Sequence, residues 1–312
     1  MKDYQINRKV ARMLARIRMD YQKIRKSIDN RIGRKADGTD QDITVSLPLN
    51  DMEMLKNTAD RNRKEEEFIE KQSKEVIKRF TIYEWLEKEV KGISTIGILW
   101  IVGEIDIHIA TTVSKIWQFC GFNPGIVQGR KSVKKKDYKP EMGKIIKELP
   151  PTKDGEKRYE ILTNVMVRGD KKTEGFLCPY NQRLRTVLMG VIASGFIKSQ
   201  NSYTIDYYYN MHIPEKYRKD KEAMSKKPEL AGQYGRYDSS EEIIQERRGG
   251  GKVVSIPWKD ATDGHREMAA RRYMMKMFLK DLYVTWRELE GLEVREPYSK
   301  EYLGKEHHRM AA

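Results

Sequence analysis

Six residues from Gly92 to Gly97, Gly-Ile-Ser-Thr-Ile-Gly, have the composition of a tight turn that binds phosphate. Glycine lets the backbone turn sharply and approach an anion closely. Successive backbone N–H groups, with the N-terminus of a following helix, then form a small anion site. Helical patterns on both sides predict a helix-hairpin-helix over residues 80–127, in which Gly92, Ser94, Thr95 and Gly97 contact phosphates. A turn that only packs two helices together is the alternative.

The segment from Arg130 to Lys136 is the second feature with clear chemistry, because five of its seven residues are basic. We predict a loop rather than a helix face, with cations that contact phosphate oxygens. These cations are Arg130, Lys131, Lys134, Lys135 and Lys136. Ser132 is the candidate nucleophile, but serine needs an activating neighbour, and the sequence identifies none.

The spacing of Cys, His and acidic residues predicts no metal site and no cofactor. Neither Cys120 nor Cys178 belongs to a CxxC pair, and a zinc site needs about four clustered ligands. Two free thiols fit a reducing cytosol, with a Cys120–Cys178 disulfide as the alternative. Glu104 and Asp106 are two residues apart, and we favour a helix cap at Asp106 over metal binding.

The charge balance favours polyanionic partners. The chain has 312 residues, with 61 Lys and Arg against 46 Asp and Glu. Such a surplus favours nucleic acid first and an anionic membrane surface second. No uncharged run reaches the roughly 20 residues of a membrane span, and the first residues lack an apolar signal core. We expect no membrane insertion and a cytoplasmic location.

The elements that position these residues are predicted to be mostly α-helical, and the first two are long helices within residues 1–35 and 51–90. The first helix has an apolar seam with coiled-coil spacing. Its residues are Val10, Leu14, Ile17, Tyr21, Ile24 and Ile28. The second has a weaker seam, interrupted by Asn62, Glu66 and Ser73. Its apolar residues are Leu55, Ala59, Ile69, Val76, Phe80 and Tyr83. Two arrangements stay open for residues 1–79: an antiparallel helical hairpin, and a stalk through which two copies dimerise.

Two further regions follow the helix-hairpin-helix. Residues 128–179 are predicted to form a basic loop with a short β-arm from Arg158 to Val167. Residues 180–312 are predicted to be helical, with a polar surface insertion at about 219–262. Helices over residues 183–198 and 264–290 carry the remaining candidate phosphate contacts. These contacts are Arg183, Arg185, Arg271, Arg272 and Lys276. A tyrosine cluster at 203–209 either stacks on unpaired bases or packs in a core.

Several of these segments resemble one known family. Gly92–Asp106 and Trp117–Pro124 are similar to the C-terminal domain of the IS-one-ten / IS-one-sixteen / IS-nine-oh-two insertion-sequence transposases, which shows PGIGPxTA, AEIGD and GLxP segments. Asn181–Arg185 resembles the GNxRLR helix start of that family, and His265–Met274 resembles its late Arg- and Met-containing helix. The resemblance covers parts of residues 80–290. It implies a helix-hairpin-helix domain from a DEDD-type recombinase that is guided by a bridging RNA.

The chain departs from that family in three ways. The family's N-terminal RNase-H-like domain holds metal through four acidic residues and requires about a hundred residues of βα units, whereas residues 1–90 are helical and basic. The family's serine nucleophile, in a QSG segment, corresponds to Gly129, and Ser132 replaces it only if the loop shifts. Within the hairpin, Ser94 stands where the family has a middle glycine.

We therefore expect a non-catalytic protein that binds DNA and resembles the nucleic-acid-gripping half of such a transposase. A structured guide RNA is a further expected partner, as is a second copy of the chain that pairs through the N-terminal helices. Two alternatives stay open. One is an active transposase or recombinase that uses Ser132 or the metal site of a partner, and the other is a coiled-coil structural or assembly protein.

Overall fold

The computed structural model describes residues 2–34, 48–199, 243–247, 251–257 and 260–295. Within these ranges the chain is mostly α-helical with a small β part, which confirms the predicted class. The chain divides into two compact units, Met1–Asp106 and Ile107–Ala312. The boundary between the units lies inside the range 80–127 that the sequence predicts as one module. The tyrosine cluster at 203–209 and most of the predicted insertion lie outside the described residues.

The first unit consists of four helices: α1 (Lys2–Arg31), α2 (Leu49–Ile77), α3 (Tyr83–Lys88) and α4 (Thr95–Glu104). The helices α1 and α2 run antiparallel, because Arg18 pairs with Glu70 at 2.7 Å while Arg34 pairs with the earlier Asp60 at 2.8 Å. The helix α4 is apolar on all sides and packs against both of them. An all-apolar helix of this kind belongs in a core.

The face that α2 buries is the predicted seam. Ala59, Ile69 and Val76 are buried there, and so are the polar interruptions Asn62, Glu66 and Ser73. The Glu66 carboxylate accepts hydrogen bonds from the Arg25 guanidinium at 2.6 and 3.3 Å and lies 3.4 Å from Arg18. The interruptions therefore belong to the packing face, where arginines of α1 neutralise the buried acid.

The face that α1 buries is not the predicted apolar seam. Arg8, Ala11, Ala15 and Asp29 are its buried residues. Ile17 and Ile24, in the predicted seam, are 42% and 50% exposed. The seam prediction for α1 is thus wrong for packing within the chain. The physical reason is the buried Glu66 in the seam of α2, which requires cations opposite it. The face of α1 that carries Arg18 and Arg25, together with Ala11 and Ala15, therefore packs inward.

The close approach of α1 to α4 depends on Gly103. A Cβ atom built on Gly103 lies 2.9 Å from the backbone nitrogen of Arg12 and 3.3 Å from the carbonyl carbon of Ala11. Ala11 and Ala15 are fully buried on the facing side of α1. Small residues on both helices therefore bring the two backbones into contact.

We expect Gly103→Ala to destabilise the protein by about 1–3 kcal/mol, because the added methyl group meets backbone atoms that cannot rotate away. Denaturant unfolding followed by circular dichroism measures this change. Gly264→Ala is the matched control, since nothing lies within 4 Å of a Cβ at that helical glycine. Equal stability of the two variants would contradict the packing described here.

The second unit begins with α5 (Val113–Cys120) and a three-stranded antiparallel sheet of order β1-β3-β2. The strands are β1 (Ile126–Lys134), β2 (Lys144–Leu149) and β3 (Arg158–Arg168), with short 3-10 turns at Lys135–Asp137 and Pro140–Met142. The prediction of a loop for residues 130–136 is therefore wrong for residues 130–134, whereas Lys135 and Lys136 lie in a 3-10 turn. Residues 130–134 pair with residues 158–162 of β3, and local composition cannot reveal a partner so distant in the sequence.

A helical layer completes the second unit. The helices α6 (Gln182–Val187) and α7 (Ala193–Lys198) are joined without a break by a π-helical turn, Leu188–Ile192. The long helix α8 (Asp263–Leu289) packs beside them, with the rings of Phe196 and Phe278 edge to face at 5.2 Å. Thr262 caps α8 and Gly291 ends it with φ 64°, which confirms the predicted C-terminal helix.

One part of the predicted insertion is a β-hairpin rather than irregular chain. The strands β4 (Ile243–Arg247) and β5 (Val253–Pro257) pair in antiparallel register. Ile244 and Glu246 face inward, and the Glu246 carboxylate accepts a hydrogen bond from the Thr262 backbone N–H at 3.1 Å. The hairpin thus anchors the start of α8.

Candidate nucleic-acid interface

The excess positive charge belongs to the second unit. Residues 1–106 contain 22 Lys and Arg against 19 Asp and Glu, whereas residues 107–312 contain 39 against 27. Within residues 126–172, which include the sheet, the balance is 14 against 7. The sheet region is therefore the strongest candidate for a polyanion site.

In the first unit, arginines of α1 pair with buried acids. Arg8 pairs with Asp106, and Arg12 and Arg16 lie 3.6 and 3.2 Å from the Glu104 carboxylate. Burial lowers the pKa of the Arg8 guanidinium, which the charge of Asp106 partly offsets. Asp106 is therefore an ion-pair partner rather than the predicted helix cap. These cations stabilise the packing of α1 on α4.

The predicted phosphate hairpin forms the start of α4. Gly92 has φ 87°, a left-handed conformation that favours glycine, and Ser94 Oγ accepts the Gly97 N–H at 3.1 Å. Ser94 therefore acts as the N-cap of α4. The Gly97 N–H, which the sequence assigns to a phosphate, already donates its hydrogen bond to Ser94. Gly92 and Ser94 are exposed, Thr95 is half-buried and Gly97 is buried. Phosphate binding at the turn stays a prediction.

The sheet presents five cations on one face, which we call the basic sheet face. Its members are Arg130 and Lys134 of β1, Lys144 and Lys147 of β2, and Arg158 of β3. Their shared side follows from the register, in which residues opposite one another point to the same face. One acid, Glu160, lies at its centre with a buried carboxylate that contacts Arg130 at 2.8 Å and Lys147 at 3.1 Å. Lys134 also pairs with Glu156 at the edge of this face, so five cations against two acids leave it with a net positive charge.

The opposite face of the sheet is covered in part by aromatic side chains. Ile161 is fully buried there, and the rings of Tyr138 and Tyr159 meet edge to face at 6.0 Å. Lys131 lies on this side, 4.6 Å above the ring of Phe176. These aromatic rings cover the centre of that face, whereas Lys134, Lys144 and Lys147 of the basic sheet face are exposed.

The predicted basic segment is thus divided among three places. Arg130 and Lys134 belong to the basic sheet face, and Lys131 stacks on Phe176. Lys135 and Lys136 follow the strand in an exposed turn, where Lys136 and Lys134 share the Glu156 carboxylate. Sequence reasoning missed Lys144, Lys147 and Arg158, because only strand pairing brings them beside Arg130.

Gly129, where the resemblance predicts the family's serine position, lies under an aromatic ring. A Cβ atom at Gly129 lies 2.5 Å from the ring of Phe176 and 3.1 Å from the carbonyl oxygen of Val165. The Thr163 hydroxyl donates to the Gly129 carbonyl oxygen at 2.8 Å. A serine therefore fits here only if Phe176 moves.

Ser132 is exposed on the basic sheet face, directly across from Glu160. That carboxylate is the nearest acid by strand register, but its Oε1 contacts Arg130 and its Oε2 contacts Lys147. Cations on both oxygens make it a poor base for the serine hydroxyl. The arrangement suits anion binding better than nucleophilic attack.

The remaining predicted cations lie on α6 and α8. Arg185 and Arg272 line one cleft, and Arg183 is exposed beside it on α6. Arg271 is half-buried on α8. Lys276 lies 4.3 Å above the ring of Trp117, whose indole N–H donates to the Lys276 carbonyl oxygen at 3.0 Å. The structure therefore brings Arg185 and Arg272 together and uses Lys276 in packing.

The two cysteines are free thiols. Cys120 is fully buried, and burial raises the pKa of its thiol, so it is unreactive. Cys178 is half-buried. Across the described ranges, no three His, Cys, Asp or Glu side chains are grouped so that they could hold a metal ion. Among the helices that the structure describes, none is long and apolar enough to cross a bilayer.

Comparison with known proteins adds no relative. No protein family, no curated protein and no solved structure matches this chain.

Proposed function

We propose that this protein binds nucleic acid, with DNA as the first candidate, through the basic sheet face of its second unit. The observation that carries the proposal is the grouping of Arg130, Lys134, Lys144, Lys147 and Arg158 on one outward face. Adjacent strands lie about 4.8 Å apart, so these side chains form a continuous patch that can follow a phosphate backbone. Such contacts position a duplex without reading its bases.

We also propose that the protein is related to the C-terminal half of an IS-one-ten transposase and binds nucleic acid without cleaving it. The resemblance of residues 92–106 and 117–124 supports the relationship, and the environments of Gly129 and Ser132 support the non-catalytic form. A structured guide RNA is a second proposed partner, since A-form RNA offers the same phosphate chemistry. An active recombinase instead predicts Mg²⁺-dependent strand transfer that Ser132→Ala abolishes.

The experiment that tests this proposal is crosslinking of the protein in its host, followed by sequencing of the nucleic acid that copurifies. Random DNA fragments identify a DNA-binding protein that does not read sequence, and one defined RNA identifies a guided relative. Samples that are not crosslinked supply the background. Recovery of no nucleic acid above that background would contradict the proposal and favour a structural or assembly protein.

We further propose that two copies associate through the outer face of α1. Ile6, Met13, Ile17 and Ile24 recur there at coiled-coil spacing and are 48%, 61%, 42% and 50% exposed. Basic residues flank only one side of this stripe. These are Lys9, Arg16 and Lys23, and the other side carries Leu14, Tyr21 and Ile28. If the two α1 helices run parallel, the basic side of each helix lies beside the apolar side of the other. Each cation then contacts an apolar residue, and like charges do not meet.

We expect the double variant Ile17→Lys with Ile24→Lys to be monomeric at concentrations at which the wild-type protein dimerises, because two buried charges would face each other. Sedimentation equilibrium measures the masses. Met54→Lys is the control, since Met54 is 59% exposed on α2 and lies outside the stripe. A wild-type protein that stays monomeric at about 100 μM would contradict association through this face.

A further inference from the structure

A cleft in the second unit lies between the α6–π-turn–α7 segment and α8. Its volume is about 680 Å³, within the range of about 300–1,000 Å³ that small-molecule sites occupy. Gln182, Arg185 and Thr186 line it from α6, Met189 and Gly190 from the π-turn, and Met268 and Arg272 from α8. Tyr180, just before α6, completes the lining.

The charge of this cleft selects an anion. Arg185 and Arg272 are both in its lining, and none of the described residues that line it is acidic. The guanidinium group binds phosphate oxygens in pairs, through parallel N–H bonds. A phosphate group therefore suits the cleft better than a neutral or cationic ligand.

Arg185 is held in place before any ligand arrives. Its guanidinium lies 4.7 Å from the centroid of the Tyr180 ring and 5.9 Å from that of Phe122, and it donates to the Asp170 carbonyl oxygen at 2.5 Å. A side chain fixed in this way loses little conformational entropy on binding. Its plane offers a surface on which a nucleobase can stack.

The walls of the cleft provide room and apolar contact for a flat ring. Met268 is 43% exposed at the α8 side, and methionine sulfur makes favourable contacts with aromatic rings. Gly190 lies in the π-turn, and nothing lies within 4 Å of a Cβ built on it. The π-helical turn, a feature frequent at functional sites, therefore opens this wall.

From these observations we infer that the cleft binds one unpaired nucleotide of a single strand, with its phosphate at Arg185 and Arg272 and its base against Arg185 and Met268. A base within a duplex is stacked and paired, so it cannot enter such a cleft. The site is therefore selective for single-stranded DNA or RNA, whereas the basic sheet face contacts backbone of any kind. This inference rests on the proposed function and adds a second site to it.

Gly190→Leu tests the inference, because it fills the cleft without changing charge. Its matched control is Gly264→Leu, where the added side chain also meets open space but outside the cleft. Fluorescence anisotropy with labelled oligo-dT, oligo-rU and a duplex of equal length measures the affinities. We expect Gly190→Leu to bind both single strands about tenfold more weakly, the loss of one stacked base, and the duplex within twofold of wild type. A loss limited to one oligonucleotide identifies DNA or RNA as the ligand.

Arg185→Lys is the second variant, since it keeps the charge and removes the planar stacking surface. We expect the same tenfold loss on single strands. Unchanged single-strand binding by Gly190→Leu, or a wild-type protein that binds duplex and no single strand, would overturn this inference and leave the proposed function standing. A wild-type protein that binds none of the three probes would overturn the proposed function as well.

Discussion

The triple variant Lys134→Gln, Lys144→Gln and Lys147→Gln is expected to bind duplex DNA about 100-fold more weakly than wild type at roughly 0.1 M salt. Each lysine that contacts a phosphate releases counterions, which contributes about 0.9 to the slope of log affinity against log salt. Three such contacts contribute about 2.7 to that slope, which is a several-hundredfold gain in affinity when salt falls from 1 M to 0.1 M. Removal of the three lysines is therefore expected to cost an affinity of this order at 0.1 M salt. Electrophoretic mobility shift at fixed salt measures the loss.

The matched control for this variant is Lys64→Gln, Lys71→Gln and Lys74→Gln. These three lysines are exposed on α2 in the first unit, and their replacement changes net charge by the same amount. We expect less than a threefold loss, because exposed charges that do not contact the DNA are screened at 0.1 M salt. An equal loss in both triple variants would show that net charge, not the basic sheet face, governs binding.

Glu66→Ala is expected to destabilise the first unit by about 3–5 kcal/mol. Glu66 is 4% exposed and compensates the charges of Arg18 and Arg25 between α1 and α2. Its hydrogen bonds raise the pKa of the Arg25 guanidinium. Arginine stays charged at neutral pH without any partner, so the cation remains when Glu66 is removed. Most of the cost comes from the arginines, which are left without that carboxylate in a partly buried site.

Glu75→Ala is the control for this stability measurement. Glu75 pairs with Lys78 at 2.8 Å on the surface of the same helix. An exposed pair of this kind contributes little to stability, because water and salt screen it. Urea unfolding followed by circular dichroism measures both variants. A Glu66→Ala variant as stable as Glu75→Ala would show that the pairing of α1 with α2 does not depend on the buried acid.

The helices could be predicted from the sequence because their signals are local. The start and end of α8 follow from Thr262 and Gly291, and the helical segment 183–198 follows from its apolar period. Within that segment, Val191 is 44% exposed although the period places it in the core. The π-turn adds one residue to the helical turn and rotates Val191 outward, which a 3.6-residue period cannot anticipate.

The packing face of α1 could not be chosen from its own apolar residues. The helix has two stripes with coiled-coil spacing, one apolar and one of Arg and Ala. Burial of apolar surface alone favours the apolar stripe as the packing face. The decisive information lies in α2, where Glu66 occupies the seam. A comparison of the two stripes for charge complementarity would have selected Arg18 and Arg25.

The basic sheet face could be predicted only in part, for a similar reason. The segment 130–136 was recognised by its charge, but its strand conformation depends on β3, and the cations of β2 join it only through pairing with β3. The prediction that the hairpin at Gly92 binds phosphate stays open. The structure shows Ser94 in the role of a helix cap there.

The salt dependence of duplex DNA binding tests the central claim most directly. Affinity of the wild-type protein, measured by fluorescence anisotropy between about 50 and 300 mM salt, should give a log–log slope of about −4 to −5 if the five cations of the basic sheet face contact phosphates. The triple variant of that face should give a slope of about −2. A wild-type slope near zero, or the same slope in both proteins, would contradict a nucleic-acid site on this sheet.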